Sequence, residues 1–266
     1  MLGDTYLFID GGYLSDVYRR LFVPLFGDAY LVDYRAIMQT FGARRAYLYD
    51  CLDDVRKTGE SDADLKARVE QQEAHFDAID KMEGVHVRYG YLAPGKKRNQ
   101  KEVDVLLVVD MLTHAFNKNM DEAVLVSGDR DFRPVVESIV RRGTLVKVAY
   151  DPRNGSRPLA RAADNEMEID ITALCRWIKL DKYDNAHKHF PQAMLHQHCT
   201  ADPFMNIPGY RKGRVGPNRL AIGLCEQNGL WYASVQINAL DYSSYTFQDK
   251  AKLLEFVSVQ CGEITW

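Results

Sequence analysis

The chain has little of what would fix its class at once. It carries five cysteines in 266 residues, an odd number with no C-x-x-C pair. That excludes a dense disulfide framework and points to a reducing compartment. It has no large excess of either charge: the formal net charge is −3. A protein that coats nucleic acid by bulk charge is thereby excluded, while a local basic groove is not. It has no apolar run long enough to span a bilayer, since the most apolar stretch, Val103–Leu112, is broken by Asp110. Its start, MLGDTYLFIDGGYL, places Asp4 and Asp10 where a secretory leader would carry a basic end and a small-residue cleavage site. The expectation is a soluble, cytoplasmic protein. There is no internal repeat and no low-complexity tract.

What the chain does have is a 46% hydrophobic composition, enough for one sizeable core and a smaller satellite. Apolar runs at 5–10, 43–50, 85–92, 123–129 and 144–150 predict buried strands, with MEIDI (167–171) as a sixth. Helical spacing fills the gaps at 14–22, 63–82, 101–116, 134–142 and 156–164. The segment 101–116 is apolar nearly all round and is expected to be buried. Pro134 suits a first helical turn and Gly143 a stop. Strands alternating with helices predict an α/β fold with a central parallel sheet covered on both faces. After about residue 185 the texture changes. A basic Gly-rich loop at 209–220 precedes a hairpin turning at Asn228-Gly229, and AKLLEFVSV (251–259) closes the chain as a helix or a strand. The organisation expected is a domain over 1–180 and a small β-rich region over 185–266.

Four acids stand out. Asp10 ends the first strand, Asp129 and Asp131 follow the fourth, and Asp104 opens the helix 101–116. Ligands of parallel sheets bind beyond the carboxyl ends of the strands, so all four are expected at one crevice. Asp110 is displaced from Asp104 by ~9 Å along the helix and ~240° around it, too far to share an ion. Asp131 is also a candidate N-cap for the turn at Phe132. Asp50, which ends the second strand, is read as a cap or turn residue. Carboxylates crowded in a low-dielectric pocket resist ionising together. Either some are protonated, or a divalent cation such as Mg²⁺ or Mn²⁺ neutralises them and positions a water.

FIDGGYL (8–14), KEVDVLLVVDML (101–112), LVSGDRDFRPVV (125–136) and RRGTLVKVAY (141–150), in this order and spacing, resemble the NYN domain of the PIN-like nuclease superfamily, in its bacterial LabA-like branch. The resemblance covers roughly residues 4–172, and S-G-D-x-D-F is its most specific block. It implies a Rossmann-like sandwich, an Mg²⁺ or Mn²⁺ site at Asp10, Asp104, Asp129 and Asp131, and endonucleolytic hydrolysis of RNA. It also implies that Ser127 orients an acid or a water and that Lys101 contacts the scissile phosphate. Asp164 falls in the family's closing segment, as a helper near the site. Many members have Asn where this chain has Tyr13, which bears on substrate placement.

The basic residues suit that reading. Lys96, Lys97, Arg98 and Lys101 precede the Asp104 helix, and Arg130 and Arg133 flank the acid pair. Such cations bind phosphates without reading sequence. Lys101, Arg130, Ser127, Tyr13, Lys97 and Arg98 are therefore the expected substrate contacts. In the C-terminal region Tyr210, Arg211, Lys212 and Arg214 form a candidate backbone clamp, with Tyr210 or Trp231 stacking on a base; the competing reading places Trp231 and Tyr232 in a core. His187, His189, His196, His198 and Cys199 match no closed zinc spacing. The region is left as recognising substrate, partner chain or second protomer, and a homo-oligomer is compatible with it. Two rivals remain. Haloacid-dehalogenase-like phosphatases need a second acid where this chain has Gly12. A non-catalytic NYN-like protein would bind RNA or a regulatory partner through the same acids.

Overall fold

A computed structural model describes residues 3–28, 30–91, 101–179, 197–199, 201–236 and 242–266. The side chains of Tyr91, Lys101, Glu102, Thr172, Gln197, His198 and Cys199 lie outside that description. The chain divides into two compact units, one of residues 1–17 and 33–169, the other of residues 18–32 and 170–266.

The first unit is built on six parallel strands: β1 (Thr5–Asp10), β2 (Arg45–Leu52), β3 (Val85–Tyr91), β4 (Glu122–Val126), β5 (Leu145–Tyr150) and β6 (Asn165–Glu168). They lie in the order β3-β2-β1-β4-β5-β6. Strand side chains alternate between faces. Phe8, Tyr47, Leu125 and Val148 share one cluster with Leu107, Met111, Val136 and Ile139. Leu7, Ile9, Leu48, Val124 and Val126 point the other way and are equally buried. Both faces are therefore covered, which is why these strands read as continuous apolar runs.

The helices between them are α1 (Gly11–Leu21), α2 (Val23–Phe26), α3 (Tyr34–Phe41), α4 (Asp62–Asp80), α5 (Lys101–Phe116), α6 (Arg133–Arg141), α7 (Arg157–Ala160) and α8 (Ile171–Arg176). The boundary between the units falls within α1, and α2 and α8 belong to the second unit. Ser61 and Asp64 form a capping box at the start of α4. Pro134 sits in the first turn of α6, and Gly143 stops the segment at φ 87°.

Helix α5 departs from expectation. It is not buried all round: Val105 and Val109 are 59% and 50% exposed. The stripe of Val103, Leu107, Met111 and Ala115, at the helical spacing of four, is buried in the core, and Leu106, Val108 and Leu112 pack partly against it. MEIDI also divides differently, with β6 ending at Glu168 and Asp170 capping α8 through the Ala173 amide.

The second unit has six strands in the order β12-β8-β9-β10-β11-β7: β7 (Gln197–Cys199), β8 (Arg211–Val215), β9 (Leu220–Gln227), β10 (Leu230–Gln236), β11 (Tyr242–Phe247) and β12 (Ile264–Thr265). Every pairing in it is antiparallel. Asn228 and Gly229 turn the β9–β10 hairpin at φ 55° and 75°, the double positive φ of a type I′ turn. The basic segment expected as a loop instead contains β8, which pairs with β9 along its whole length. Residues 250–261 are helix α9, capped by Asp249 through the Lys252 amide. Its Phe256 packs on Tyr245 and Phe247, with ring centroids 5.1 and 5.2 Å away. No helix among the described residues is long and apolar enough to cross a membrane.

Candidate active site: an acidic crevice at the strand switch point

Strand order in the parallel sheet runs outward in both directions from β1 and β4, so their carboxyl ends open a crevice with no crossover above it. Asp10 is the last residue of β1, and its backbone leads straight into α1. Its Oδ1 accepts the Tyr13 amide at 2.9 Å and so caps that helix. Its Oδ2 accepts the Ser127 hydroxyl at 3.0 Å. The Ser127 Oγ in turn accepts the Asp129 amide at 3.1 Å. Ser127 is fully buried. It ties the ends of β1 and β4 together and fixes Asp10, with no exposed face to offer a substrate.

Asp129 then caps the tight turn Arg130–Phe132, its Oδ1 accepting the Asp131 amide at 2.9 Å. The cap is therefore Asp129, not Asp131, because the turn begins at Arg130 and already contains Asp131. Asp131 is left exposed, as are Asp129 and Arg130. Asp104 lies in the first turn of α5, half-buried.

The electrostatics mark these acids as one group. Burial pushes the Asp104 carboxyl up to about 6, and the charges of Asp10, Asp129 and Asp131 push it the same way. Asp10 also rises to about 6 through burial. The Tyr13 amide and Ser127 hydroxyl oppose that rise, and Asp50 and Asp129 add to it. Asp50, read from sequence as a simple turn residue, joins this neighbourhood. It accepts the Cys51 amide at 2.7 Å, and burial raises it to about 6. A Cβ on Gly11 would lie 2.6 Å from its Oδ2. The signal for it was available, an acid near the carboxyl end of a strand beside β1, although β2 runs on to Leu52 and does not end at Asp50 as the sequence suggested.

Asp151, at the end of β5, is a further acid that sequence reasoning passed over. It is wholly buried, and its Oδ1 accepts the Arg153 backbone amide at 3.1 Å and the guanidinium Nε at 2.6 Å. Its own amide donates to the Tyr13 hydroxyl at 2.7 Å. Tyr13 thus braces the end of β5. Its ring also lies over Gly128, where a Cβ would come within 2.5 Å of it. Glycine is required there by close approach, not by φ.

Two acids lie elsewhere. Asp110 accepts the Tyr49 hydroxyl at 2.9 Å and pairs with Arg88 at 3.5 Å, well away from any shared ion with Asp104. Asp164 is not a helper at the crevice: its Oδ2 accepts the Val146 amide at 2.8 Å. That is the amino end of β5, ~13 Å of strand away from the carboxyl end. Lys96, Lys97 and Arg98 lie outside the described residues, as do His187, His189 and His196. For Lys101, His198 and Cys199 only the backbone is described.

As the side chains stand, no group of three or more His, Cys, Asp or Glu among the described residues is arranged to hold a metal ion. The donor chemistry nevertheless fits a hydrated hard cation. Mg²⁺ keeps several waters and takes one or two carboxylates, and Asp10 and Asp104 are held above their ordinary range by burial and by the neighbouring carboxylates.

Comparison with known proteins agrees with this architecture. The NYN domain family model matches residues 4–170. The uncharacterized protein y4oD of Sinorhizobium fredii is 31% identical over 106 residues, covering 39% of this chain and 49% of that protein. The chain thus spans about half the length of the curated relative it matches. The crystal structure of a protein of unknown function from Vibrio parahaemolyticus aligns with a TM-score of 0.46 at 20% identity, over 67% of this chain and 97% of that one.

Proposed function

Since the chain belongs to the NYN domain family, within the PIN-like nuclease superfamily, we propose that it is a metal-dependent endoribonuclease that hydrolyses RNA phosphodiester bonds. The observation that carries this reading is the convergence of Asp10, Asp104 and Asp129 at the β1/β4 switch point, with two of them raised to about 6. Nothing in a stable fold asks for that arrangement, because ionised acids in one crevice destabilise the protein unless a cation answers them.

Asp10, Asp104, Asp129 and Asp131 would hold Mg²⁺ or Mn²⁺, directly or through water. Bound there, such an ion supplies positive charge to the phosphate and lowers the pKa of a bound water. Ser127 and the Tyr13 amide keep Asp10 oriented. Asp131, exposed on the turn, orients the attacking water and accepts its proton. Arg130 lies beside it and binds the phosphate, with Lys101, Lys97 and Arg98 as further phosphate contacts. Water adds to phosphorus, the bond to the 3′ oxygen breaks, and that oxygen takes a proton from solvent water, leaving 5′-phosphate and 3′-hydroxyl ends. Residues 1–180 form the nuclease domain in this reading, 185–266 an accessory region, and the protein acts in the cytoplasm, alone or as a homo-oligomer.

The test is cleavage of labelled RNA and of single- and double-stranded DNA with Mg²⁺, Mn²⁺ or EDTA, comparing wild type with Asp129→Asn. Metal-dependent RNA cutting that the substitution abolishes is the expected result. RNA binding without cutting in both proteins would replace the proposal with a non-catalytic, RNA-binding or regulatory role.

A further inference from the structure

The second unit contains a cavity of about 350 Å³ lined by Arg211, Leu224, Glu226, Trp231 and Lys250, with Pro208 and Gly209 at its wall. It lies on the helix side of the antiparallel sheet, where α9 begins. Register explains its composition. Arg211 on β8 stands opposite Leu224 on β9, and Glu226 on β9 stands opposite Trp231 on β10. All four share one sheet face, because residues two apart on a strand point the same way. On the same face Phe256 of α9 covers Tyr245 and Phe247, and Phe247 stands directly opposite Trp231. The first residue of α9, Lys250, lies beside Trp231, while Glu226 stays exposed and Trp231 half-buried.

Tyr210, the other aromatic expected to stack on a base, is committed elsewhere. Its hydroxyl donates to Asp202, and its ring fills the space over Gly223. Trp231 is half-buried, not core. The Lys250 ammonium lies 4.6 Å from its ring centroid, and the Arg211 guanidinium lies 5.2 Å from that of Trp266. The Glu226 carboxylate makes no hydrogen bond or ion pair among the described residues.

A ligand of this cavity must satisfy three different groups. Trp231 offers a flat apolar plane, Lys250 and Arg211 offer positive charge, and Glu226 offers a carboxylate that accepts N–H donors. A simple anion such as free phosphate would meet the Glu226 charge, and an acidic peptide would leave the indole plane unmatched. A nucleotide supplies all three complements: a base to stack, a phosphate, and base-edge N–H groups of the kind that Glu accepts. We propose that this cavity is an anchoring site for single-stranded RNA, with a base against Trp231, its edge toward Glu226 and the flanking phosphates at Arg211 and Lys250. The proposal rests on the RNA-directed reading of the first unit and adds to it a binding site for the same substrate. An anchor carried on the same chain as the acidic crevice raises the local substrate concentration by tethering.

The experiment is fluorescence anisotropy with a 5′-fluorescein-labelled, mixed-sequence, ten-nucleotide single-stranded RNA and the full chain in EDTA. Wild type is compared with Trp231→Ala and Lys250→Gln. Expected are about tenfold weaker binding for Trp231→Ala, the scale of one lost base stack, and a shallower dependence on salt for Lys250→Gln. Lys250→Gln leaves the cavity walls in place and so separates binding from folding. Affinities within twofold of wild type in both variants, or no binding of this RNA by wild type, would overturn the anchor. Metal-dependent cleavage is scored separately in the same proteins. Binding that needs Trp231 without any cleavage keeps the anchor and removes the nuclease reading; cleavage with binding indifferent to Trp231 does the reverse.

Discussion

The two six-stranded sheets of this protein place their chemistry in opposite ways. The parallel sheet is buried on both faces, so its strands have nothing to show a ligand except their ends. The acids Asp10, Asp129 and Asp151 lie at or just beyond a strand's carboxyl end, and Asp50 lies two residues before the end of β2. The antiparallel sheet instead leaves a patch of its face open, at Glu226 and Trp231 beside the first turn of α9. The first arrangement concentrates like charge in a desolvated crevice and raises carboxyl pKa values. The second spreads one aromatic, one acid and two cations over three strands and the first turn of α9. A strand end suits a small, highly charged reacting group; an open sheet face suits an extended ligand.

That contrast would break most completely at Asp129. Replacing it with Asn should lower metal-dependent RNA cleavage at least about a hundredfold, the upper end of what even outer-shell partners of a metal contribute. Thermal stability should change little, since the Asn carboxamide oxygen can still accept the Asp131 amide. Equal cleavage rates in a gel assay would mean that the crevice does no chemistry.

The next largest effect should come from Gly128→Ala. Its Cβ would collide with the Tyr13 ring, which is itself held by the Asp151 amide. A cost of ~2 kcal/mol in urea unfolding is expected, together with loss of cleavage as Ser127 and Asp129 shift. A neutral result would show that the Tyr13 brace is soft.

Asp104→Asn should do the opposite and stabilise the metal-free protein. Asp104 is raised from 3.8 to about 6 in the fold. Its ionised form is therefore disfavoured there. The penalty is absent below the unfolded value and fully present above about pH 6. Removing the charge should gain ~1 kcal/mol at pH 7.5 in EDTA, after discounting for its partial exposure. The gain should vanish by about pH 4, read from denaturant curves at both values. A gain that persists at pH 4 would mean that repulsion is not its cause.

The smallest effect is expected in the other sheet. Gly229→Ala places a side chain at φ 75° in the β9–β10 turn and should cost ~1 kcal/mol. Cleavage by the crevice should be unchanged, so a parallel loss of activity would argue against separate roles for the two sheets.

Much of this was written in the sequence. Strand β1 and helix α5 fall on the expected residues, and β2 to β5, α4 and α6 fall within a few residues of theirs, because apolar runs and helical spacing are local signals. The hairpin at Asn228-Gly229 was legible for the same reason: only residues tolerant of positive φ make that turn. Helix α3 carried equally local signals, Asp33 accepting the Arg35 and Ala36 amides and Gly42 at φ 62°. What remained hidden depended on neighbours distant in sequence. Composition alone could not say that α5 turns Val105 and Val109 outward, because a wholly apolar helix gives no periodicity from which to choose its buried stripe. Nor could it say that β8 pairs with β9, since a Gly-rich basic segment becomes a strand only when a partner supplies its hydrogen bonds.

The same division holds at the crevice. Sequence by itself determined which residue types stand at the strand ends, Asp10, Ser127, Asp129 and Asp131, within the stretch that the NYN domain family model matches. Tertiary structure alone decided their partners. It placed Ser127 between Asp10 and Asp129, sent Asp164 to the far end of β5, brought Asp50 beside Gly11, and used Tyr13 to brace Asp151. The physical reason is that capping and turn chemistry act over three or four residues. Burial, repulsion and side-chain hydrogen bonds act through space, and in this crevice they join residues 117 and 138 positions apart.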